Sequence, residues 1–196
     1  MSTWACPVFA GQACYCFERV EKPDLQSRGG DTVESVIDRA CSSLRKRGWT
    51  VTERSVPLCR LPQVILDRYP CVPEEWAAFL SQVSRCVKDG ETAWLLCLED
   101  FEEADGGGFR WNEFEQLSLQ AAADAGDTVW QAGIRRFWDA HIPVGLSVGG
   151  AYEYYAIRVS DGVVVHGAEP EFEEVEEAAA SFFQLLTELG AGNVRL

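Results

Sequence analysis

The stretch IPVGLSVGGAYEYYAIRVSDGVVVH, residues 142–166, decides the predicted fold. It contains three short apolar segments of strand length, Ile142–Leu146, Tyr154–Val159 and Val163–His166. Glycines separate the first two segments, and Asp161-Gly162 joins the last two. This dipeptide is typical of a two-residue β-hairpin turn. Because consecutive strands joined by such short turns pair antiparallel, the stretch predicts an antiparallel sheet.

Apolar residues on both sides of this stretch recur at the spacing of a helix face. Downstream, an apolar stripe from Val175 to Leu189 predicts a closing helix. Upstream, two further helices are predicted at 114–121 and 130–138. The second of these helices has an apolar face made of Trp130, Ile134, Phe137 and Trp138. Consecutive strands that are flanked along the chain by helices indicate an α+β domain, an antiparallel (mixed) sheet with helices packed on it.

The segment from Pro57 to Thr92 is predicted to enter this domain. Pro57 to Pro73 contains four prolines and is interpreted as a connector that is extended at Val64–Leu66. Pro73 suits the first position of a helix, which is lined by Trp76, Phe79, Leu80 and Val83. After a turn at Asp89-Gly90, Thr92–Leu98 is predicted to be a buried strand.

The first sixty residues predict a ββαβ arrangement. Trp4–Ala10 and Ala13–Val20 are predicted to be two strands. Asp31 offers an N-cap to a helix whose apolar face runs from Val33 to Leu44, and Gly48 ends that helix. Trp49–Val56 then alternates as a strand. We therefore divide the chain into 1–60, an N-terminal extension or small subdomain, and 61–196, the main domain.

The charge of the chain is concentrated in the main domain. The net charge is −14, but residues 1–60 carry +2, and residues 61–196 carry eight Lys or Arg against twenty-four Asp or Glu, a net of −16. A field of this sign repels nucleic acid and anionic lipid and attracts basic partners. Acidic composition also serves solubility alone, so both interpretations stay open.

The sequence lacks a long apolar run and a recognisable signal peptide, so we expect a cytoplasmic protein without a membrane partner.

The eight cysteines form no compact framework, and reduced thiols are therefore expected. Cys41, Cys86 and Cys97 fall within apolar patterns and are predicted to pack as small hydrophobes. The spacing of Cys6, Cys14 and Cys16 fits no zinc site. No metal and no cofactor are expected.

One motif suggests catalysis and has to be weighed. Residues 145–149 match G-x-S-x-G, which in α/β-hydrolases holds a nucleophilic serine between a strand and a helix. Here a strand is predicted on both sides of Ser147, and the possible partners Asp161 and His166 follow within one hairpin. A serine hydrolase that uses Ser147 is therefore only a remote alternative. His141 and His166 lie at element ends and are interpreted as structural.

The pattern from Ile134 to Leu189 resembles the second half of a SUKH (Smi/Knr-type) domain. The resemblance rests on IRRFW at 134–138, IPVG at 142–145, GGAYEYYAI at 149–157, DGVV at 161–164 and SFFQLL at 181–186. It extends upstream to PEEWAAFL at 73–80 and covers about 125 residues. Two parts of the chain depart from the family pattern. Residues 1–60 match no part of it, and Lys88-Asp89-Gly90 stands in place of the family's Asn-Gly-Gly.

The resemblance implies an α+β sheet domain without enzymatic activity. Bacterial members of this family are largely immunity proteins that bind and neutralise toxins, and fungal members are regulatory scaffolds. We therefore expect a protein-binding domain whose partner is a basic toxin, or alternatively an endogenous protein. The predicted contact residues are acidic and lie in two segments: Glu102, Glu103 and Asp105 in the first, and Glu169, Glu171, Glu173 and Glu174 in the second.

Overall fold

The computed structural model describes residues 32–58, 60–101 and 109–196, together with the backbone of 14–15. Over these residues it contains six α-helices and nine strands. The helices are α1 (Val33–Arg45), α2 (Gln63–Arg68), α3 (Glu74–Gln82), α4 (Glu113–Asp124), α5 (Thr128–Asp139) and α6 (Phe182–Ala191). The strands are β1 (Cys14–Tyr15), β2 (Trp49–Glu53), β3 (Val72–Pro73), β4 (Val83–Lys88), β5 (Ala93–Leu95), β6 (His141–Ser147), β7 (Glu153–Arg158), β8 (Val164–Ala168) and β9 (Val175–Ala179). None of the described helices is long and apolar enough to cross a membrane.

Seven of the strands form one sheet in the order β2-β4-β5-β6-β7-β8-β9. Every neighbouring pair in this sheet is antiparallel. The Asp161-Gly162 turn between β7 and β8 is present, with Gly162 at a φ of 75° and the Asp161 carboxylate accepting the backbone N–H of Val163. The predicted α+β class and its antiparallel sheet are thus confirmed.

Helices cover both faces of this sheet. Tyr154 packs on one face against Phe114 of α4 and Trp138 of α5. Tyr155 points to the opposite face, where its hydroxyl donates to the carbonyl of Arg195 beyond α6. All seven residues of β6 are buried because both of its faces are covered.

The segment 33–53 belongs to the same sheet and core as the later residues. Strand β2 pairs with β4 at one edge of the sheet. Helix α1 packs closely on α6, where a Cβ added at Gly190 would lie 2.9 Å from the Cβ of Ser43. The guanidinium of Arg47, just beyond α1, donates to the carbonyls of Gly190 and Ala191 at the end of α6. These bonds satisfy carbonyls that the helix itself leaves open.

The prediction of one closing helix from Val175 to Leu189 is wrong in its first part. Residues Val175–Ala179 form β9, which pairs with β8 at the edge of the sheet. Helix α6 begins only after Ser181, whose hydroxyl accepts the backbone N–H of Gln184. The hydrogen bonds that β8 offers at its free edge stabilise the short segment VEEAA as a strand more than its helix propensity stabilises a helix. Strand formation depends on the neighbouring strand as well as on the segment itself.

Three other predicted elements also differ. Val83 begins strand β4, which pairs with both β2 and β5, and does not end the preceding helix. The segment Val64–Leu66 lies inside α2 and is not extended. Strand β5 ends at Leu95, and a short 3-10 helix follows at Leu98–Phe101.

The two N-terminal strands of the prediction lie outside the described residues except for Cys14–Tyr15. These two residues pair antiparallel with Val72–Pro73.

Candidate protein-binding groove

A groove of about 530 Å³ lies between helices α4 and α5 and the loop that joins β8 to β9. We call it the Trp130 groove. It is lined by Leu117, Ser118 and Ala121 of α4, by Trp130 of α5, and by residues 169–174 of the loop. Its volume falls in the range of pockets that hold a compact ligand or several side chains.

Helix α5 reaches the groove with Trp130 in its first turn, and helix α4 reaches it with Leu117, Ser118 and Ala121 in its middle turns. Helix α4 buries Phe114, Ser118 and Ala122 and leaves Leu117 exposed. Asp127 is the N-cap of helix α5, and its carboxylate accepts the backbone N–H groups of Val129 and Trp130. The predicted apolar face of α5 is buried only at Ile134 and Trp138, and Trp130, one turn earlier, is 44% exposed. Trp130 shares the apolar spacing of α5 but lies at the exposed end of that face.

The loop 169–174 is anchored at Phe172. The ring of this residue stacks on Phe114, with 4.7 Å between ring centroids and 18° between planes. Its carbonyl accepts the hydroxyl of Tyr154, and the backbone N–H of Glu174 donates to the carbonyl of Glu171. Phe172 therefore anchors the loop to the core, and the glutamates of the loop lie on both sides of this anchor along the chain.

The four glutamates of this loop divide into two pairs. The Glu169 carboxylate accepts the backbone N–H of Tyr152 at 3.1 Å, and the Glu173 carboxylate accepts Nε1 of Trp138 at 2.9 Å. Glu171 and Glu174 are exposed, and their carboxylates enter no side-chain hydrogen bond or ion pair with any described residue. The first pair shapes the loop, and the carboxylates of the second pair stay exposed to solvent.

The other predicted acidic contacts, Glu102, Glu103 and Asp105, lie outside the described residues. Just after them, Phe109 packs edge to face on Tyr152, with ring centroids 6.0 Å apart. Both rings are about a third exposed. Because the backbone N–H of Tyr152 donates to the carboxylate of Glu169, which lines the Trp130 groove, this aromatic pair adjoins the groove.

Ser147 lies in a different setting from a hydrolase nucleophile. It is the last residue of β6, is 4% exposed, and is paired with Ala93 and Glu153 on the two neighbouring strands. Asp161 binds Arg158, and His166 lies 3.1 Å from the Glu153 carboxylate. No hydrogen bond among the described residues joins Ser147 to His166. The next element is strand β7, so the strand–helix turn of the nucleophile elbow is not formed here.

His141 follows α5 as the first residue of β6. Its Nδ1 donates to the carbonyl of Phe137 at 2.8 Å, and its ring stacks on the ring of Phe137. Burial lowers the pKa of this imidazole and so favours its neutral form. His141 thus satisfies a carbonyl at the end of the helix, as its position in the sequence predicts.

The four cysteines whose side chains the structure describes show two different states. Cys41, Cys86 and Cys97 are free and buried, as predicted. Cys71 instead forms a disulfide, and for this residue the expectation of a reduced thiol is wrong. Cys71 directly precedes β3, whose partner β1 belongs to the cysteine-bearing N-terminal segment. Among the described residues, no cluster of His, Cys, Asp and Glu is arranged to hold a metal ion, and the side chains of Cys6, Cys14 and Cys16 lie outside that part of the chain.

We expect Cys41, Cys86 and Cys97 to resist alkylation by iodoacetamide at pH 8 until the protein unfolds. Burial raises the pKa of Cys41 to about 11 and raises the pKa of the other two thiols as well. Alkylation needs the thiolate, which is scarce at pH 8 when the pKa is raised, and it needs access to the sulfur. Mass spectrometry of each cysteine before and after unfolding in urea measures the effect, and equal labelling in both states would contradict it.

The Trp130 groove thus combines exposed apolar side chains with two unpaired carboxylates. Such a surface can bind a partner that brings both apolar and cationic groups.

No protein-family model, curated protein or solved structure matches the chain.

Proposed function

We propose that this chain is a non-enzymatic protein-binding domain, and that it acts as an immunity protein against a cognate bacterial toxin. The observation that carries the proposal is the Trp130 groove, where an exposed tryptophan and the free carboxylates of Glu171 and Glu174 share one depression. Exposed aromatic residues of this kind are enriched where proteins bind one another.

The charge of the domain supports a basic partner. Residues 61–196 carry a net charge of −16, and the groove lies within that part of the chain. Complementary charge speeds the encounter of two proteins and excludes partners of the same sign. Many toxins that act on nucleic acids are basic, and the resemblance to SUKH domains points to immunity proteins of such toxins.

The proposal predicts that reversing the charge of Glu171 and Glu174 abolishes protection. The proposal expects a toxin gene beside this one. A bacterial host that expresses that toxin should stop growing, and the wild-type chain should restore growth. The double variant Glu171→Lys, Glu174→Lys should fail to do so. Two like-charge contacts in place of two attractive ones are expected to weaken binding by about a hundredfold. Growth curves and biolayer interferometry measure the two effects.

The matched control is Glu34→Lys with Asp38→Lys, because these exposed residues of α1 lie on the opposite face of the sheet. This control keeps the same net charge as the test variant and should still protect. Binding of the wild-type chain should also weaken as salt rises from about 0.05 to 0.5 M, since exposed charges are screened. Failure of the neighbouring gene product to bind the chain, or binding that salt does not change, would contradict the proposal.

A further inference from the structure

We infer that the occupant of the Trp130 groove is an arginine of the partner, flanked by apolar side chains. This inference rests on the proposed protein-binding function and adds the chemistry of the partner segment. The apolar part of the groove comes from Leu117, Ala121, Trp130, Pro170 and Phe172. Its volume of about 530 Å³ accommodates more than one side chain.

Trp130 provides the platform for the cation. The backbone N–H of Trp130 is bound by the Asp127 carboxylate at 2.8 Å, so the start of α5 is held in place while the indole is 44% exposed. A tryptophan face attracts a cation through its quadrupole more strongly than other aromatic faces do. A planar guanidinium stacks on such a face, whereas a lysine ammonium contacts it only as a point charge.

Glu171 and Glu174 provide the anions. They belong to one turn, in which the backbone N–H of Glu174 donates to the carbonyl of Glu171 at 3.0 Å. Glu169 and Glu173 are already bonded within the protein, so the two free carboxylates remain for the five N–H donors of a guanidinium. An anionic occupant would face four glutamates, and the described residues offer no metal-binding cluster at this place. A guanidinium therefore matches both the apolar face and the charge of the groove.

A display library of random dodecapeptides, selected on the immobilised 196-residue chain at low salt, tests this inference. Recovered peptides should be enriched in arginine over lysine, with Leu or Phe near the arginine. A synthetic peptide of the recovered sequence should bind about tenfold more weakly when its arginine is changed to lysine. It should also bind at least tenfold more weakly to Trp130→Ala, and to Glu171→Gln with Glu174→Gln, than to the wild-type chain.

Two control variants keep the test specific. Leu58→Ala removes an exposed apolar side chain outside the groove, and Glu34→Gln with Asp38→Asn removes two carboxylates from α1. Both should bind the peptide as the wild type does. Circular dichroism should show that every variant is folded, and Trp130→Phe should recover part of the binding if an aromatic face is what the partner needs.

The inference is overturned if the peptides show no arginine enrichment, or if Trp130→Ala binds them as well as the wild type. This failure can be distinguished from failure of the proposed function. If the toxin is neutralised by the wild-type chain and equally by Trp130→Ala, the immunity function stands and the arginine site does not. If the peptides bind as expected but the neighbouring toxin is not neutralised, the groove chemistry stands and its biological partner is a different protein.

Discussion

Replacing Arg68 with alanine is expected to lower the free energy of unfolding by about 3 kcal/mol. The guanidinium of Arg68, at the end of α2, donates to both carboxylate oxygens of Glu115 on α4, each at 2.7 Å. It also donates to Asp139 at 3.0 Å. Glu115 is only 5% exposed, so the substitution would leave a buried carboxylate without its counter-ion. The expected loss lies at the lower end of the range for breaking a buried ion pair, because the Arg68 side chain itself is 19% exposed.

Urea unfolding followed by tryptophan fluorescence measures this loss. Arg85→Ala serves as the control, because Arg85 pairs with Glu91 at the surface, where both side chains are more than half exposed. That variant should lose about 0.5 kcal/mol or less. The double variant Arg68→Met, Glu115→Leu should recover most of the stability, since it removes both charges together. Equal losses in Arg68→Ala and Arg85→Ala would show that the pair does not stabilise the fold.

Replacing Gly167 with alanine is expected to lower the free energy of unfolding by about 2 kcal/mol. If the proposed protein-binding function holds, it should weaken that binding as well. Gly167 of β8 is paired with Tyr154 of β7, and a Cβ at this position would lie 2.6 Å from three atoms of the tyrosine side chain. The Tyr154 ring is fully buried and contacts Phe114 and Trp138, so it has no free space to enter. Its hydroxyl also holds the carbonyl of Phe172, and its displacement would therefore shift the loop 169–174.

The matched control is Gly133→Ala in α5. A Cβ at Gly133 would meet no atom within 4 Å. Because glycine disfavours helix interiors, this variant should be more stable than the wild type by about 0.5 to 1 kcal/mol. Urea unfolding compares the two glycines directly, and binding to the proposed toxin partner reports on the loop. A Gly167→Ala variant with unchanged stability would contradict the close packing of glycine and ring.

The strands of residues 142–166 could be predicted because their signals are local. The Asp161-Gly162 turn forms in the structure as expected, and helices α1, α4 and α5 lie where their apolar spacing placed them. Strands β4 and β9 were missed because they depend on neighbours distant in the sequence. The segment Val175–Ala179 has a helical composition and becomes a strand only because β8 offers it an open edge.

The candidate site, like the fold, could be predicted from the sequence only in part. Charge alone singled out the glutamates of 169–174, and these residues do line the groove. The sequence could not separate Glu171 and Glu174 from Glu169 and Glu173, because that distinction depends on the backbone N–H of Tyr152 and the indole of Trp138. Nor could it show that Trp130 is exposed, since the apolar spacing of α5 makes this residue look like part of the core.

The sequence by itself therefore determined the α+β class, the central hairpin and the acidic character of the main domain. These properties depend on turn chemistry, residue spacing and counted charges, which act over a few residues or over the whole chain. Only the tertiary structure decided which strands lie at the edges of the sheet, that Cys71 forms a disulfide, and which two glutamates beside Trp130 have unpaired carboxylates. These properties depend on contacts between residues far apart in the chain, such as Phe172 with Phe114.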